Sequence, residues 1–527
     1  MGADRSHSGF EAISYKIIAS GMQVIISRGV GVLASAAGVM FFARTIEKSD
    51  FAVFAVFSIL TTVIEFSAAL GLEAAVLQLA PAELVSENPS KGLGLMKTAL
   101  LSRTALLCFV SILLAIWAEP VSCLFFHTAS RGHFIYLIAM GAVVSGLFSG
   151  LSLLAQTVQL FGPMSLFTAL SRIAQNMFAV LFYFRLGLEG AVLGMSIGPL
   201  IGIFGLFWHL RKYLFNSAPF VSWKWMVRYS VPFYIRMFAL YGFTESDRLL
   251  IGVLLPPAAL AEYSIAAGLA AYLNLIGEAF LTPMLVKVAE WRETQRDRVQ
   301  RSISKVYRYT WFIIFPLCAA VALSSRWLLF LYGGGQYESA WPILTILATA
   351  QFIFILRRVA AVYLFSVGEP MQTLKLDGIS GLIAIFINLF LGYWLAQTGI
   401  AVGQMFSVII SLILAVKLLK DYLVISFSTV CSGVRQLIPA ALLGTAILIM
   451  GQIIYFSLWA QMVYLLLAAS VFGLLLLRQL NADDRRYIRD VFGSLTTKLS
   501  RRHYIIFVEQ RYNRRHLDES GISGSRS

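Results

Sequence analysis

Charge is scarce in this sequence: Asp, Glu, Lys and Arg make up 13% of its 527 residues, against roughly 25% in a soluble protein. Hydrophobic residues supply 58%, and the mean hydropathy is +0.77. A soluble chain of this length would divide into about three or four domains, and so few charges could not cover their surfaces. Lipid must cover most of the chain. The four cysteines, Cys108, Cys123, Cys318 and Cys431, lie in or beside apolar runs without paired spacing, which argues against a disulfide framework and against a metal site. The six histidines include no i, i+4 pair and no Cys/His cluster. No phosphate-binding loop of the G-x-x-x-x-G-K-[ST] type occurs, so the chain does not hydrolyse nucleotide by that route. No cofactor and no resident metal are expected.

What the sequence has instead is long apolar runs, at 17–42, 51–79, 98–118, 134–157, 164–184, 190–210, 231–255, 262–286, 310–330, 342–365, 377–396, 401–416, 438–457 and 462–477. Each is near the length that spans a bilayer. Fourteen spans need about 280 positions, so the arithmetic predicts an all-α polytopic membrane protein of about 14 transmembrane helices. The first run lacks an A-x-A-like cleavage site and reads as a retained span. With the N-terminus inside, most of the 42 Lys and Arg fall on the cytoplasmic side, chiefly in Arg211 to Arg228, Lys287 to Arg308 and from Arg478 onward. That bias accounts for the net charge of +15 without a nucleic-acid partner. The outer loops are short, the longest having roughly 15 residues around Glu119 to His133. A membrane-embedded glycosyltransferase or polymerase needs a larger external region, so the chain does not read as an enzyme.

An internal repeat organises the spans. Gly190 and Gly194 recur as Gly399 and Gly403 about 209 residues later, and Gly162-Pro163-Met164 echoes Glu369-Pro370-Met371 at nearly the same offset. Two lobes of six spans in the same orientation, related by a pseudo-two-fold along the membrane normal, are predicted, with two extra C-terminal helices. The expected boundaries are a cytoplasmic N-terminus (1–16), the first lobe (17–210), a basic cytoplasmic linker (211–230) and the second lobe (231–420). Spans 13 and 14 (438–477) and a basic cytoplasmic tail (478–527) follow. The tail reads equally as an amphipathic helix on the anionic inner leaflet or as a solvated segment.

Charge inside a span is expensive and marks a candidate functional site. Arg28, Arg172, Arg236, Arg248, Arg357 and Arg358 fall inside predicted spans. Under the repeat offset, Arg28 falls within about one position of Arg236, so each lobe would offer a guanidinium to a shared cavity. A guanidinium forks onto phosphate and keeps its charge, which suits an anionic head group. Glu65, Glu278 or Asp377 could instead hold these arginines in structural ion pairs. Arg357 and Arg358 point about 100° apart on a helix, so at most one faces the cavity. Glu245, Asp247 and Arg248 lie within one helical turn and form either a charge network or an ion-coupling group.

Three segments resemble the Wzx-type polysaccharide flippases of the multidrug/oligosaccharidyl-lipid/polysaccharide exporter superfamily. One runs from Ala43-Arg44-Thr45-Ile46 through Asp50-Phe51-Ala52-Val53-Phe54 to Ala69-Leu70-Gly71-Leu72. The second joins Ser230-Val231-Pro232-Phe233, Asp247-Arg248-Leu249-Leu250-Ile251-Gly252 and Ala261-Glu262-Tyr263-Ser264, with Glu262 where the family has glycine. The third is Leu329-Phe330-Leu331-Tyr332-Gly333 leading to Tyr337 and Ala340. The resemblance implies alternating access by rocking lobes and, as substrate, an undecaprenyl-pyrophosphate-linked oligosaccharide used for exopolysaccharide, capsule or O-antigen. It places the protein in a bacterial inner membrane, among membrane lipids, with a polysaccharide polymerase and glycosyltransferases as candidate partners. Arg28, Arg236, Arg172, Arg357 and Arg358 would then meet the pyrophosphate. Ser27-Arg28-Gly29 also resembles the start of the lipid II flippases, but the Arg-Asp that follows in them is missing. Multidrug exporters of the superfamily have an acidic cavity, which these arginines oppose.

Overall fold

A computed structural model describes residues 27–86, 89–291, 296–366, 370–420 and 430. The predicted segment 1–16, the start of span 1, spans 13 and 14 at 438–477 and the tail 478–527 lie outside the described residues. All described residues belong to one compact unit ending at Gly433.

Helix is the regular structure of the described residues. The first half comprises α1 (27–45), α2 (Lys48–Ala69), α3 (Leu72–Val85), α4 (Pro89–Ile116), α5 (Ala118–Phe126), α6 (Gly132–Thr157), α7 (Phe161–Ile197) and α8 (Leu200–Leu214). The second comprises α9 (Trp223–Thr244), α10 (Ser246–Leu254), α11 (Pro257–Trp291), α12 (Arg296–Leu323), α13 (Ser325–Gly333), α14 (Trp341–Ser366) and α15 (Pro370–Lys420). A bilayer offers no water to unpaired backbone groups, so helices that satisfy their own are what such apolar runs form there. Eight stretches among the described residues are long and apolar enough to cross a membrane. Two of them, Phe161–Leu214 and Met371–Lys420, have the length of two crossings each.

The halves repeat in register. α2 begins at Lys48 and α11 at Pro257; α6 at Gly132 and α14 at Trp341; α7 at Phe161 and α15 at Pro370. Each pair is 209 residues apart. So are two interruptions, at Gly187 (φ 63°, ψ −144°) in α7 and Ala396 (φ 49°, ψ −135°) in α15. At each the chain folds back so tightly that a Cβ on Gly190 would lie 2.2 Å from the Phe182 carbonyl oxygen, and one on Gly399 2.0 Å from that of Leu391. The glycines that reveal the repeat in the sequence are thus needed for this close approach. Six crossings per half return the chain to its starting side, so both halves keep one orientation and the pseudo-two-fold runs along the membrane normal.

Four predicted spans are broken in the structure; those at 190–210 and 310–330 are interrupted at Gly198–Pro199 and at Ser324, and the other two break more sharply. The run at 51–79 is two helices, α2 and α3, meeting at Leu70 (φ 43°) and Gly71 (φ 70°). A Cβ on Gly71 would approach the Ser230 carbonyl oxygen of α9 to 2.6 Å. The run at 231–255 is α9 and α10, meeting at Glu245.

One end of the molecule is shared between the halves. A single buried cluster there joins Phe42, Phe51 and Ile135 of the first half to Leu260, Tyr263 and Tyr337 of the second. Gln336 Nε2 donates to the Ala43 carbonyl at 2.5 Å, Arg44 donates to that of Leu331, and Lys48 pairs with Glu262. Toward the opposite end the cores separate, one built around Leu95, Leu151 and Leu206, the other around Tyr307, Ile355 and Leu376. The halves are therefore sealed together at the end that carries the kinks.

Candidate functional site

Two carboxylates organise four of the five arginines predicted to meet an anion. Glu278 on α11 receives Arg358 Nη1 of α14 at 2.8 Å and Arg28 Nη1 of α1 at 3.6 Å. Asp377 on α15 receives Arg357 Nη2 of α14, with Arg236 Nε of α9 at 3.4 Å. Each cluster holds two guanidinium groups on one carboxylate. The Glu278 cluster spans both halves, because Arg28 belongs to the first and the other two residues to the second.

The neighbours Arg357 and Arg358 diverge, as adjacent positions on a helix must. Arg357 turns into the second half, where its side chain is 3% exposed, its Nε donates to Ser411 Oγ at 2.9 Å and its guanidinium lies 4.9 Å from the centre of the Phe243 ring. Arg358 turns out toward Glu278 and the seam. The repeat-related pair also differ, Arg28 being 62% exposed at its side chain and Arg236 24%.

Arg172 belongs to a third setting. Its stem packs on Gly31, where small size allows α1 and α7 to approach, and its Nη1 donates to Gln175 Oε1 at 3.2 Å. Both residues line a cavity of about 550 Å³ whose wall comes entirely from residues between Ser27 and Pro199, so it lies within the first half. Arg28 lines it too and reaches from there to Glu278. The cavity lies in the half of α2, α6 and α7 away from the sealed end. Its wall carries hydroxyls on three helices, among them Ser58, Thr62, Ser145, Ser152 and Thr168, together with Glu65 and Glu73.

Arg103 was not among the sequence candidates. It is buried on α4, pairs with Glu73 and donates from Nη2 to Ser149 Oγ at 2.6 Å; Ser149 Oγ in turn lies 3.3 Å from Glu65 Oε2. The signal was the polar triplet Ser102-Arg103-Thr104 inside an apolar run.

Glu245, Asp247 and Arg248 stand apart from both clusters and from the cavity, at the break between α9 and α10. Arg248 Nη1 lies 3.4 Å from Glu245 Oε2, and the Arg248 backbone N–H donates to Asp247 Oδ1 at 2.8 Å. Tyr263 Oη donates to Asp247 Oδ2 at 2.5 Å, which makes Asp247 a buried acceptor between two helices.

The fold has solved counterparts. The chain superposes on a structure titled "Lipid II flippase MurJ, inward closed conformation" with a TM-score of 0.68 at 13% identity, covering 86% of this chain and 98% of that one. An inward-facing multidrug resistance MATE transporter of the MOP superfamily gives 0.59 at 14% identity, covering 76% and 98%. The eukaryotic MATE transporter AtDTX14 gives 0.58 at 15%, covering 79% and 97%. At these identities the likeness shows a shared fold. No curated protein matches the sequence significantly. A family model described as "Polysaccharide biosynthesis protein" matches residues 41–342, more than half of the chain, and with that match the chain belongs to the polysaccharide biosynthesis protein family.

Proposed function

We propose that this protein is a flippase carrying an undecaprenyl-pyrophosphate-linked oligosaccharide from the cytoplasmic to the periplasmic leaflet of a bacterial inner membrane, for the assembly of a surface polysaccharide. The observation that carries this reading is the Arg28–Glu278–Arg358 cluster at the seam. Two permanent cations on one carboxylate leave a net positive site beside a polar cavity, and an arginine pair can fork onto a pyrophosphate. The family match and the exporter fold support transport in polysaccharide synthesis. The charge bias of the sequence puts the sealed, kinked end on the periplasmic side and the cavity toward the cytoplasm. This arrangement suits loading of a substrate made inside. The lipid tail stays in the bilayer while the head group crosses between the lobes. Polymerase and glycosyltransferases act before and after this step.

The test is a deletion strain. Lipid-linked oligosaccharide should accumulate on the cytoplasmic leaflet, and a plasmid copy should clear it. Absence of the lipid-linked intermediate would make the protein a synthetic enzyme, and rescue of a strain depleted of its lipid II flippase would make peptidoglycan precursor the cargo.

A further inference from the structure

Most hydroxyls of the polar cavity have apolar counterparts across the pseudo-two-fold, and that asymmetry bears on what the cavity is for. The 209-residue register pairs each wall residue with a position in the second half. Ser58 and Thr62 of α2 correspond to Ala267 and Ala271 of α11; Ser145 and Ser152 of α6 to Phe354 and Ala361 of α14; Ser165 and Gln175 of α7 to Leu374 and Ala384 of α15. Glu65 corresponds to Asn274 and Arg172 to Gly381. At six of the ten wall hydroxyl positions the second half has an apolar residue, while Ser27, Ser149, Thr168 and Ser171 correspond to Arg236, Arg358, Asp377 and Ser380, so the fold does not need those six hydroxyls. Arg357 and Arg358 stand where the first half has Phe148 and Ser149.

We infer that the first-half cavity is the binding pocket for the sugar joined to the pyrophosphate, and that the substrate class is a hydroxyl-rich saccharide. This rests on the flippase reading above. Arg28 lines the cavity and also reaches Glu278 at the seam, so a pyrophosphate held by Arg28 and Arg358 presents its first sugar to the pocket. Ser58 and Thr62 are exposed on one face of α2, opposite Ser145 and Ser152 of α6 and Thr168 of α7. Hydroxyls donate and accept, and the Glu65 and Glu73 carboxylates accept from sugar hydroxyls. Phe148 in the same wall offers apolar surface to a pyranose face. A volume of about 550 Å³ falls within the range of small-ligand pockets.

The second half supplies the test variants, since it shows which residues these helices tolerate. Full-length wild-type protein, the triple variant Ser58→Ala, Thr62→Ala, Ser152→Ala and the single variant Ser145→Phe are purified in nanodiscs. Native mass spectrometry then measures binding of undecaprenyl pyrophosphate and of the lipid-linked oligosaccharide extracted from the deletion strain. Wild type should prefer the glycosylated lipid by about tenfold, the worth of one or two hydrogen bonds. Both variants should lose most of that preference while binding undecaprenyl pyrophosphate within about twofold of wild type. A preference unchanged in both variants, or absent from wild type, overturns the pocket assignment and leaves the flippase reading standing. Failure of wild type to bind either lipid overturns both.

Discussion

Glu278 and Asp377 each pair with two guanidinium groups, but their burial separates their roles. Asp377 and Arg357 are both 3% exposed at their side chains, and removing Arg357 strands a buried carboxylate. Such stranding costs roughly 3–5 kcal/mol, toward the lower end here because Arg236 stays within 3.4 Å. Arg357→Ala should therefore lower the amount of folded protein in membranes, scored by blot against wild type. Arg28 is largely exposed, so Arg28→Ala should abolish glycan export at near-normal protein level, and Arg28→Lys should restore it only in part because an ammonium cannot fork. The Glu245–Asp247–Arg248 group divides along the same line. Asp247 is buried and held by Tyr263, so Asp247→Asn should reduce abundance. Glu245 keeps a third of its side chain exposed and pairs only loosely, at 3.4 Å. Glu245→Gln should stay abundant and make flipping insensitive to an imposed pH gradient in proteoliposomes; unchanged gradient dependence removes Glu245 as the coupling group.

Among the elements, the repeat-related kinks carry the clearest expectation. Ala396 holds a conformation that side chains avoid, at φ 49°, while its counterpart Gly187 meets the same demand without a Cβ. Ala396→Gly should raise the thermal midpoint of the purified protein and Gly187→Ala should lower it, each through about 1–2 kcal/mol of backbone strain. Close to the Ala396 kink sits the residue that departs from the family pattern. Glu262 pairs with Lys48 across the halves and accepts from Ser339 Oγ at 3.0 Å and Gln397 Nε2 at 2.6 Å. It ties α2, the turn before α14 and the kink of α15 into one clasp. Glu262→Ala should loosen the sealed end, so that Ala340→Cys, at a buried position, reacts severalfold faster with a membrane-impermeant maleimide in a background without native cysteines. Hydropathy alone locates the spans, yet it hides the break at Leu70–Gly71, because a break between two apolar helices leaves the composition of the run unchanged, whereas the polar stretch Thr244 to Arg248 marks the break at Glu245. Gly71 becomes legible only once Ser230 is seen against it.

At the scale of the whole molecule, the topology is testable without any transport assay. Reporter fusions after Arg308 and after Arg478 should read cytoplasmic, and one near Tyr337 periplasmic. A periplasmic C-terminus would overturn the parallel repeat. The repeat itself was readable from four glycines: at Gly190, Gly194 and Gly399 a Cβ would come within 2.0–2.3 Å of backbone, and at Gly403 within 2.5 Å of the Asn388 side chain. The cavity was not readable. Its wall is built from serines and threonines spaced along apolar helices, each of which reads singly as ordinary helix packing, and it takes three helices converging to make them a surface. Arg103, inside the run at 98–118, was legible as an intramembrane charge, but its partners Glu73 and Ser149 come from other helices and were not.

The one-sided pocket also bears on stoichiometry. A pair of identical six-helix units would present the same wall twice, facing each other across the axis, and two bulky head groups would compete for one seam. Covalent joining of the halves removes that constraint, because each can then change alone. In this chain one half keeps most of the hydroxyls and the other gains the Arg357–Arg358 pair, so on the flippase reading proposed above a single cargo is met by both halves at once and each turnover moves one.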